Sequence, residues 1–274
     1  MQREGQCEVM RKVKIAVILA AGMGSRLQDV TNDMIPKGLI EINGKSLVER
    51  SVEKLRSLGI EKVFIVTGHL HEFYDEFAKD KKYIVTRRNR KYKATGSMTS
   101  LSILEDELKE DFLLLESDLI YEVYGLIKAL NYKEDDCILL SGKTNSGDEC
   151  YVEVRDDNLY KISKNKADIQ DVYGELVGIS KISKELYKEM LKQYRKFNSE
   201  IYDCKSEEYF FENRKNQKYD YENAIFDSAK NRKVGYLKIE DLVWGEVDDK
   251  THLERIQKVI LPKLEKNSEE KIII

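Results

Sequence analysis

The chain has 274 residues, 41% of them hydrophobic and 35% charged, with a net charge of −3 and a pI near 5.9. That length supports one large α/β domain or two small ones, with a core that needs no disulfide or metal staple. The mildly acidic balance argues against a nucleic-acid partner, because such proteins usually carry a basic face. No run approaches the ~20 apolar residues of a membrane span. Cys7, Cys137, Cys150 and Cys204 are far apart and form no CxxC pair, which speaks against a structural zinc site. The polar N-terminus shows no signal-peptide pattern, and a cytoplasmic protein with reduced thiols is the expectation.

Apolar, β-branched runs at 14–21, 62–68, 83–86, 111–121 and 137–142 predict strands. Helical stretches at 46–59, 71–80 and 97–109 separate the first four. In the first of these, Leu47, Val48, Val52, Leu55 and Leu58 fall on one helical face. Such alternation predicts a parallel sheet covered on both faces, with ligands outside the carboxyl ends of the strands. The second half changes character. Residues 151–164 predict a hairpin turning on Asp-Asp-Asn, and 172–183 a further strand. Helices are expected at 183–198 and 220–231, and a strand at 234–244. A last helix at 251–264 is bent or ended by Pro262. Residues 199–220 lack periodicity and read as a long loop or flap. There is no repeat and no linker. The organisation expected is one domain over 12–266, a flexible N-terminus over 1–11 and a tail over 267–274.

The first strand ends in Leu19-Ala20-Ala21-Gly22-Met23-Gly24-Ser25-Arg26. GxxxxGK[ST] is absent, so this is not a Walker loop, and without the third glycine of GxGxxG the match to a dinucleotide fingerprint is poor. Gly22 and Gly24 still allow the backbone to curl and aim N–H groups at an anion. Arg26 adds charge, and so does Lys37, which Pro36 presents from a stiff segment. A tight strand–helix turn with two solvent-facing cations is the plainer alternative. The pattern L-A-A-G-x-G-S-R-L…P-K is similar to the signature of the nucleotidyltransferases that build sugar nucleotides and CDP-alcohols. The resemblance implies an α/β, Rossmann-like (GT-A-like) three-layer fold with a mixed, mostly parallel sheet and a β-rich lid. It also implies a nucleoside triphosphate on the loop, with Lys37 near its phosphates.

In FLLLESDLIY, Glu116 and Asp118 share a strand face at the end of a very apolar run. Mg²⁺ takes one or two protein carboxylates together with phosphate oxygens, and Asp118 is the first ligand expected. The second must come from far along the chain. Asp248 stands before the last helix, where it or Asp249 suits a helix cap equally well; the resemblance favours Asp248 as the ligand. Glu246 shares its face. Lys164, at the end of the hairpin, is a further candidate cation or a surface lysine. Thr95, Gly96 and Ser97 lie between a strand and a helix, where small polar groups contact a pyrimidine edge; Ser97 also suits a helix cap. With Leu19, Ala20, Ala21, Gly22, Gly24, Ser25 and Glu116, these make up the nucleotide site that the resemblance implies.

The second half carries a narrower similarity. SGKTNSGDE, SGDECYVEV, GELVGISKIS, YENAIFD and VWGEVDDKTHLE resemble the 2-aminoethylphosphonate cytidylyltransferases; phosphocholine cytidylyltransferases share the first half and the plan. The resemblance implies CTP and a small phosphonate or phosphate alcohol as partners, with Mg²⁺ as cofactor. An ammonium-bearing acceptor needs carboxylates, and Asp148, Glu149, Glu175 and Glu222 are available. A quaternary ammonium instead needs an aromatic cage, for which Tyr151, Tyr173, Tyr221 and Trp244 are candidates.

Overall fold

The computed structural model describes residues 13–27, 31, 32, 34–203 and 218–270. Strands are β1 (Ile15–Ala20), β2 (Glu41–Ile42), β3 (Lys45–Ser46), β4 (Lys62–Thr67), β5 (Ile84–Arg88), β6 (Phe112–Glu116) and β7 (Leu119–Tyr121). β8 (Cys137–Ser141), β9 (Tyr151–Arg155), β10 (Asn158–Ser163), β11 (Gly174–Ile182), β12 (Tyr236–Ile239) and β13 (Trp244–Glu246) follow. Helices are α1 (Leu47–Ser57), α2 (His71–Ala78), α3 (Ser97–Ser102), α4 (Val123–Leu130), α5 (Lys184–Asp203), α6 (Tyr221–Ala229), α7 (Lys250–Arg255) and α8 (Leu261–Glu270).

The main sheet runs β10-β9-β11-β6-β1-β4-β5, with β8 joined to β11 and β12 beyond β8. β1, β4, β5 and β6 are parallel, and β11 runs antiparallel to both β6 and β8. This is the mixed, mostly parallel sheet expected. β1 lies between β6 and β4, and all six of its residues are buried. Its side chains alternate: Ile15, Val17 and Leu19 enter a core with α3, α5 and α6. Ala16, Ile18 and Ala20 enter a second core, with α1, α2 and α4. Burying each Val, Leu or Ile side chain contributes ~1.5–3 kcal/mol, so a strand apolar on both faces is stable only between two helical layers. Register then places the site. Leu19 pairs with both Val66 and Glu116, Ala20 with Thr67, and Thr67 with Arg88, so the carboxyl ends of four strands finish at one edge.

Several boundaries depart from the sequence expectation. The strand expected at 111–121 breaks at Ser117 and Asp118, because β7 leaves the sheet to pair with β13, Tyr121 against Trp244. The strand expected at 234–244 divides into β12 and β13 for the same reason. The hairpin turn is Asp156-Asp157, with φ of 50° and 55°, the left-handed pair a two-residue hairpin needs. Asn158 belongs to β10, and its amide donates to Ala229 O and Arg232 O while accepting from Val234 N–H. The hairpin is thereby pinned to α6, and Val152 and Leu159 are part of the core. β11 bulges between Leu176 and Ser180, where Gly178 takes φ +78°. Its later half lies beside β6 and its first residues pair with β9, which carries the hairpin out over the carboxyl-end edge.

α5 extends through 203, so 199–203 is helical where a loop was expected. The flap expected further along falls mostly on 204–217, outside the described residues, as do 1–11. Pro262 does not end the last helix. Proline lacks an N–H and its ring excludes the carbonyl four residues back. The helix instead widens into a π turn over Ile256–Ile260 and continues as α8 to Glu270, into the stretch expected as a tail. A third apolar cluster seats that helix against Leu27, Ile42, Leu47 and Val247, which ties the C-terminal segment to the end of the glycine loop.

Candidate active site

The loop after β1 tightens at Gly24, whose φ of +61° is open to glycine at little cost, and Leu27 N–H closes it on Gly24 O at 2.8 Å. The loop is largely exposed and faces a cleft of about 480 Å³ at the carboxyl-end edge. Leu19, Ala20, Ala21, Gly22, Gly24, Ser25, Arg26, Lys37, Thr95, Gly96, Ser97, Glu116, Asp118, Lys164, Tyr221, Glu222 and Asp248 all line this cleft. Every nucleotide-site, cation and metal-ligand residue expected from the sequence therefore meets in one place.

Their charges interlock. Lys37 Nζ bridges Asp118 and Asp248. Arg26 Nη2 lies 3.0 Å from both Asp248 and Asp148, and Lys164 Nζ lies 3.2 Å from Asp148. Burial alone would raise the Asp248 carboxyl, but Lys37 and Arg26 beside it hold it well below the usual carboxylate range. Burial alone would lower Lys37, and Asp118 and Asp248 outweigh it, so Lys37 stays charged. Asp248 is available to the cleft because Asp249 serves as the helix cap, accepting from His252 N–H at 2.9 Å and Thr251 Oγ1 at 2.6 Å. The set suits a hard divalent cation. Asp118 Oδ1 is buried without a hydrogen-bond partner among the described residues, and Asp148, Glu246 and Asp248 bring carboxylate oxygens within 4.8 Å of one another.

The base-side loop is wired to α6. Ser97 N–H and Oγ donate to Asp220 Oδ1 at 2.8 and 3.1 Å, and Ser97 Oγ accepts from Tyr221 N–H at 2.9 Å. Gly96, not Ser97, is the cap residue of α3. Asp220 and Tyr221 thus join the nucleotide side to what lies behind it. Tyr221 donates its hydroxyl to Glu116 Oε1 at 2.6 Å.

Behind the cleft, and sharing Glu116, Lys164 and Glu222 with it, is a chamber of about 50 Å³. Asp148, Glu149, Glu175, Glu246, Trp244, Cys150, Thr144 and Ser146 line it too, with Leu176, Val177 and Gly178. Among the described residues, Lys164 is its one cationic lining residue. Glu222 Oε2 is buried without a partner among the described residues. Burial, with Asp118 nearby, pushes Glu116 up to about 7; burial, with Glu116 nearby, pushes Glu222 up to about 8. Burial followed by the charges of Asp118, Glu116 and Asp248 pushes Glu246 up to about 9. Glu175 instead anchors the loop after β8, accepting from Thr144 N–H at 2.9 Å and Thr144 Oγ1 at 2.6 Å.

The aromatic candidates do not assemble. Tyr151 donates to Glu149 at 3.3 Å, Tyr173 packs edge-on against Tyr236 at 5.4 Å, and neither lines the cleft or the chamber. The sequence reading missed Tyr92, Ser100 and Asp220 in the cleft, and Asn89 and His252 behind it. His252 accepts Asp248 N–H on Nδ1 at 3.3 Å, and its Nε2 meets Ser146 O at 3.1 Å. It lies within the quoted THLE run, which was the only sign of it.

A mostly parallel sheet whose first strand feeds a glycine loop, with acidic residues at the adjoining strand ends, is an α/β arrangement whose ligand site lies outside the carboxyl ends of the strands. Residues 16–154 match the MobA-like NTP transferase domain, and the chain belongs to that family. It is 37% identical over 105 residues to choline-phosphate cytidylyltransferase of Haemophilus influenzae, covering 38% of this chain and 44% of that protein. The match thus spans under half of that relative's length. CTP:phosphoglutamine cytidylyltransferase of Campylobacter jejuni is 24% identical over 258 residues, covering 87% of this chain and 97% of that one. CMP-5'-(3-aminopropyl)phosphonate synthase of Streptomyces rubellomurinus is 32% identical over 113 residues, 39% of this chain and 17% of that one. The inositol-1-phosphate CTP transferase of T. maritima superposes with a TM-score of 0.72 at 18% identity, covering 92% of this chain and 96% of its own. That likeness shows the fold. No helix among the described residues is long and apolar enough to cross a membrane.

Proposed function

We propose that the protein transfers the cytidylyl group of CTP, with Mg²⁺, to a small aminoalkyl phosphonate, 2-aminoethylphosphonate, giving CMP-2-aminoethylphosphonate and pyrophosphate. The observation that carries the acceptor is the chamber, where Glu116, Glu175, Glu222 and Glu246 surround a space with one lysine at its mouth. Buried carboxylates in such excess call for a cation, and the unpartnered Glu222 Oε2 calls for a hydrogen-bond donor. A primary ammonium supplies both. Choline has no N–H and is suited by an aromatic cage, and Trp244 is the single aromatic side chain lining the chamber among the described residues. Cytidylyl transfer itself is supported by the family and by relatives named as cytidylyltransferases.

In the transfer, a phosphonate oxygen forms a bond to the α-phosphorus. The bond from that phosphorus to the bridging oxygen breaks, and its electron pair leaves with pyrophosphate. A phosphonate is largely dianionic near neutral pH, by analogy with phosphoryl groups of second pKa about 6, so no general base is required. The task is to bring an anion up to a polyanion. Backbone N–H groups of the Gly22–Ser25 loop, Arg26 and Lys37 supply positive charge for the triphosphate. Lys164, between cleft and chamber, is positioned for the phosphonate. Asp118 and Asp248 would hold Mg²⁺, which when bound neutralises charge on the phosphates.

The test is phosphorus NMR of the protein with Mg²⁺, CTP and either 2-aminoethylphosphonate or phosphocholine. A phosphonate–phosphate anhydride signal growing with pyrophosphate, at least tenfold faster than any phosphocholine product, is expected. Turnover with phosphocholine alone would sink the phosphonate reading and leave nucleotidyl transfer standing.

A further inference from the structure

The loop after β5 is folded around one side chain. Asn89 is 2% exposed, and its backbone N–H donates to Thr67 O at 2.8 Å, which fixes it at the strand-end edge beside the cleft. Asn89 Oδ1 accepts from Lys91 N–H at 2.9 Å, and this bond sets which end of the amide is the oxygen. Asn89 Nδ2 then gives its two hydrogens to Thr95 Oγ1 at 3.1 Å and Ser100 Oγ at 3.0 Å. Thr95 and Ser100 both line the nucleotide cleft, and Asn89 stands just behind them.

The consequence is an account of protons. A hydroxyl that accepts from Asn89 must send its own proton elsewhere. Thr95 sends its proton to Lys91 O at 2.9 Å. Ser97 is committed as well, donating to Asp220 and accepting from Tyr221. Of the three serine and threonine hydroxyls on this wall, Ser100 keeps a proton that meets no acceptor among the described residues, with a cleft in front of it. Ser100 is 2% exposed, so that proton is presented from surroundings poor in water. A donor facing the 3-position of a pyrimidine suits cytosine, whose N3 is an acceptor; O2 accepts in either base and does not discriminate. Uracil carries an N–H at the 3-position, which faces a donor unfavourably. A site built to make a particular hydrogen bond rejects the analogue that cannot make it, because its buried polar group is left unpaired.

We propose that Asn89 is a positioning residue for base selection: by occupying a lone pair of Ser100 it turns that hydroxyl into a donor toward the base, so that CTP is chosen over UTP. This rests on the reading of the protein as a cytidylyltransferase and is independent of which acceptor it uses. The residue that meets the base is Ser100; Asn89 acts through it.

The test measures binding of CTP and UTP by calorimetry without acceptor, and kcat and KM for each nucleotide with acceptor, in wild type, Asn89→Asp and Ser100→Ala. A carboxylate at position 89 still accepts from Lys91 but draws the Ser100 proton toward itself, leaving lone pairs that suit uracil. The CTP-over-UTP preference is expected to fall about tenfold or more in Asn89→Asp and about tenfold in Ser100→Ala. KM for the acceptor should stay within about twofold in both. Equal weakening of CTP and UTP in Asn89→Asp, or a preference unchanged in Ser100→Ala, would overturn the proposal. Ser100→Ala decides alone if Asn89→Asp does not fold. A wild type that prefers CTP yet modifies no aminoalkylphosphonate overturns the acceptor reading only. A wild type that binds the two nucleotides alike overturns base selection whatever the acceptor.

Discussion

The nucleotide cleft and the acid-lined chamber share Glu116, Lys164 and Glu222, but their charges are arranged differently. Around the cleft, Arg26, Lys37 and Lys164 alternate with Asp118, Asp148 and Asp248, each ion paired with its neighbour. In the chamber, carboxylates from β6, β11, β13, α6 and the loop after β8 face one lysine. Coulomb attraction at ~4 Å and an effective dielectric of ~20 is about 4 kcal/mol, enough to move a pKa by about three units. Where that attraction is supplied by the chain, as at Asp248, the acid stays ionised. Where burial and neighbouring carboxylates outweigh it, as at Glu222, the carboxyl is pushed up to about 8. The charges around the cleft are balanced within the chain, whereas those of the chamber are not.

The largest effect expected is on the cleft. Lys37→Met leaves Asp118 and Asp248 facing each other with their shared cation gone, and removes a positive charge from the phosphate site. A fall in kcat of about 10²–10³ is expected from loss of one such electrostatic group, measured as pyrophosphate release. Turnover within threefold of wild type would mean that the ion network is structural only. The chamber should respond in a different parameter. Glu222→Gln is expected to raise KM for the aminoalkyl acceptor about 10–100-fold, the value of a hydrogen bond to a charged group, with KM for CTP unchanged. If both KM values moved together, cleft and chamber would be one compartment. A smaller effect belongs to the joint between them. His252→Ala removes the acceptor of Asp248 N–H and the contact to Ser146 O, freeing the 144–148 loop that carries Asp148. A loss of about tenfold in kcat/KM for the acceptor is expected, with a melting shift of only a few degrees.

The two regions also differ in how far the sequence reveals them. The cleft is legible because its chemistry is local: a strand, two glycines, Arg26, Lys37 after Pro36, and a carboxylate at a strand end. Even there, FLLLESDLIY reads as one strand, since its apolar run contains no glycine or proline. The break at Ser117 is set by β7 pairing with β13 more than a hundred residues on, Tyr121 against Trp244. Asp248 and Asp249 are equivalent in sequence, and only the bond from His252 N–H to Asp249 assigns the cap. The chamber is legible where a motif marked it, at Glu175 and Glu222. Asn89, Ser100, Asp220 and His252 acquire their places through contacts such as Ser97–Asp220, which joins positions 123 residues apart. Nothing in local periodicity carries that information. The aromatic cage failed for the same reason: Tyr173 is near Trp244 in no sense that spacing could decide, and the fold places it against Tyr236.

The smallest effect expected is a slope of stability with pH. The Glu222 carboxyl is pushed up to about 8 from an ordinary 4.5 by burial and then by Glu116. Between those values the folded chain holds a proton that the unfolded chain has released. Stability from this group is therefore complete below about pH 4.5 and is lost as pH rises through about 8. Glu116, raised to about 7, and Glu246, raised to about 9, act in the same direction. Asp248 acts in the opposite sense, but its depressed carboxyl loses stability only as pH falls below the ordinary carboxylate range. The two windows do not overlap, so a melting series from about pH 5.5 to 8.5 reads chiefly the chamber; Lys54, lowered to about 8 by burial, acts in the opposite sense only toward the top of that range. Melting temperature is expected to fall by several degrees across it, with roughly 2–4 °C for each kcal/mol at this chain size. Glu222→Gln, which cannot ionise, should flatten the slope in part and leave the remainder to Glu116 and Glu246. Adding 2-aminoethylphosphonate should restore more stability near pH 8 than near pH 6, because its ammonium meets carboxylates that have given up their protons. A wild-type melting temperature that is level or rising over this range would mean that the chamber acids are already compensated, and the case for a cationic acceptor would lose its electrostatic support.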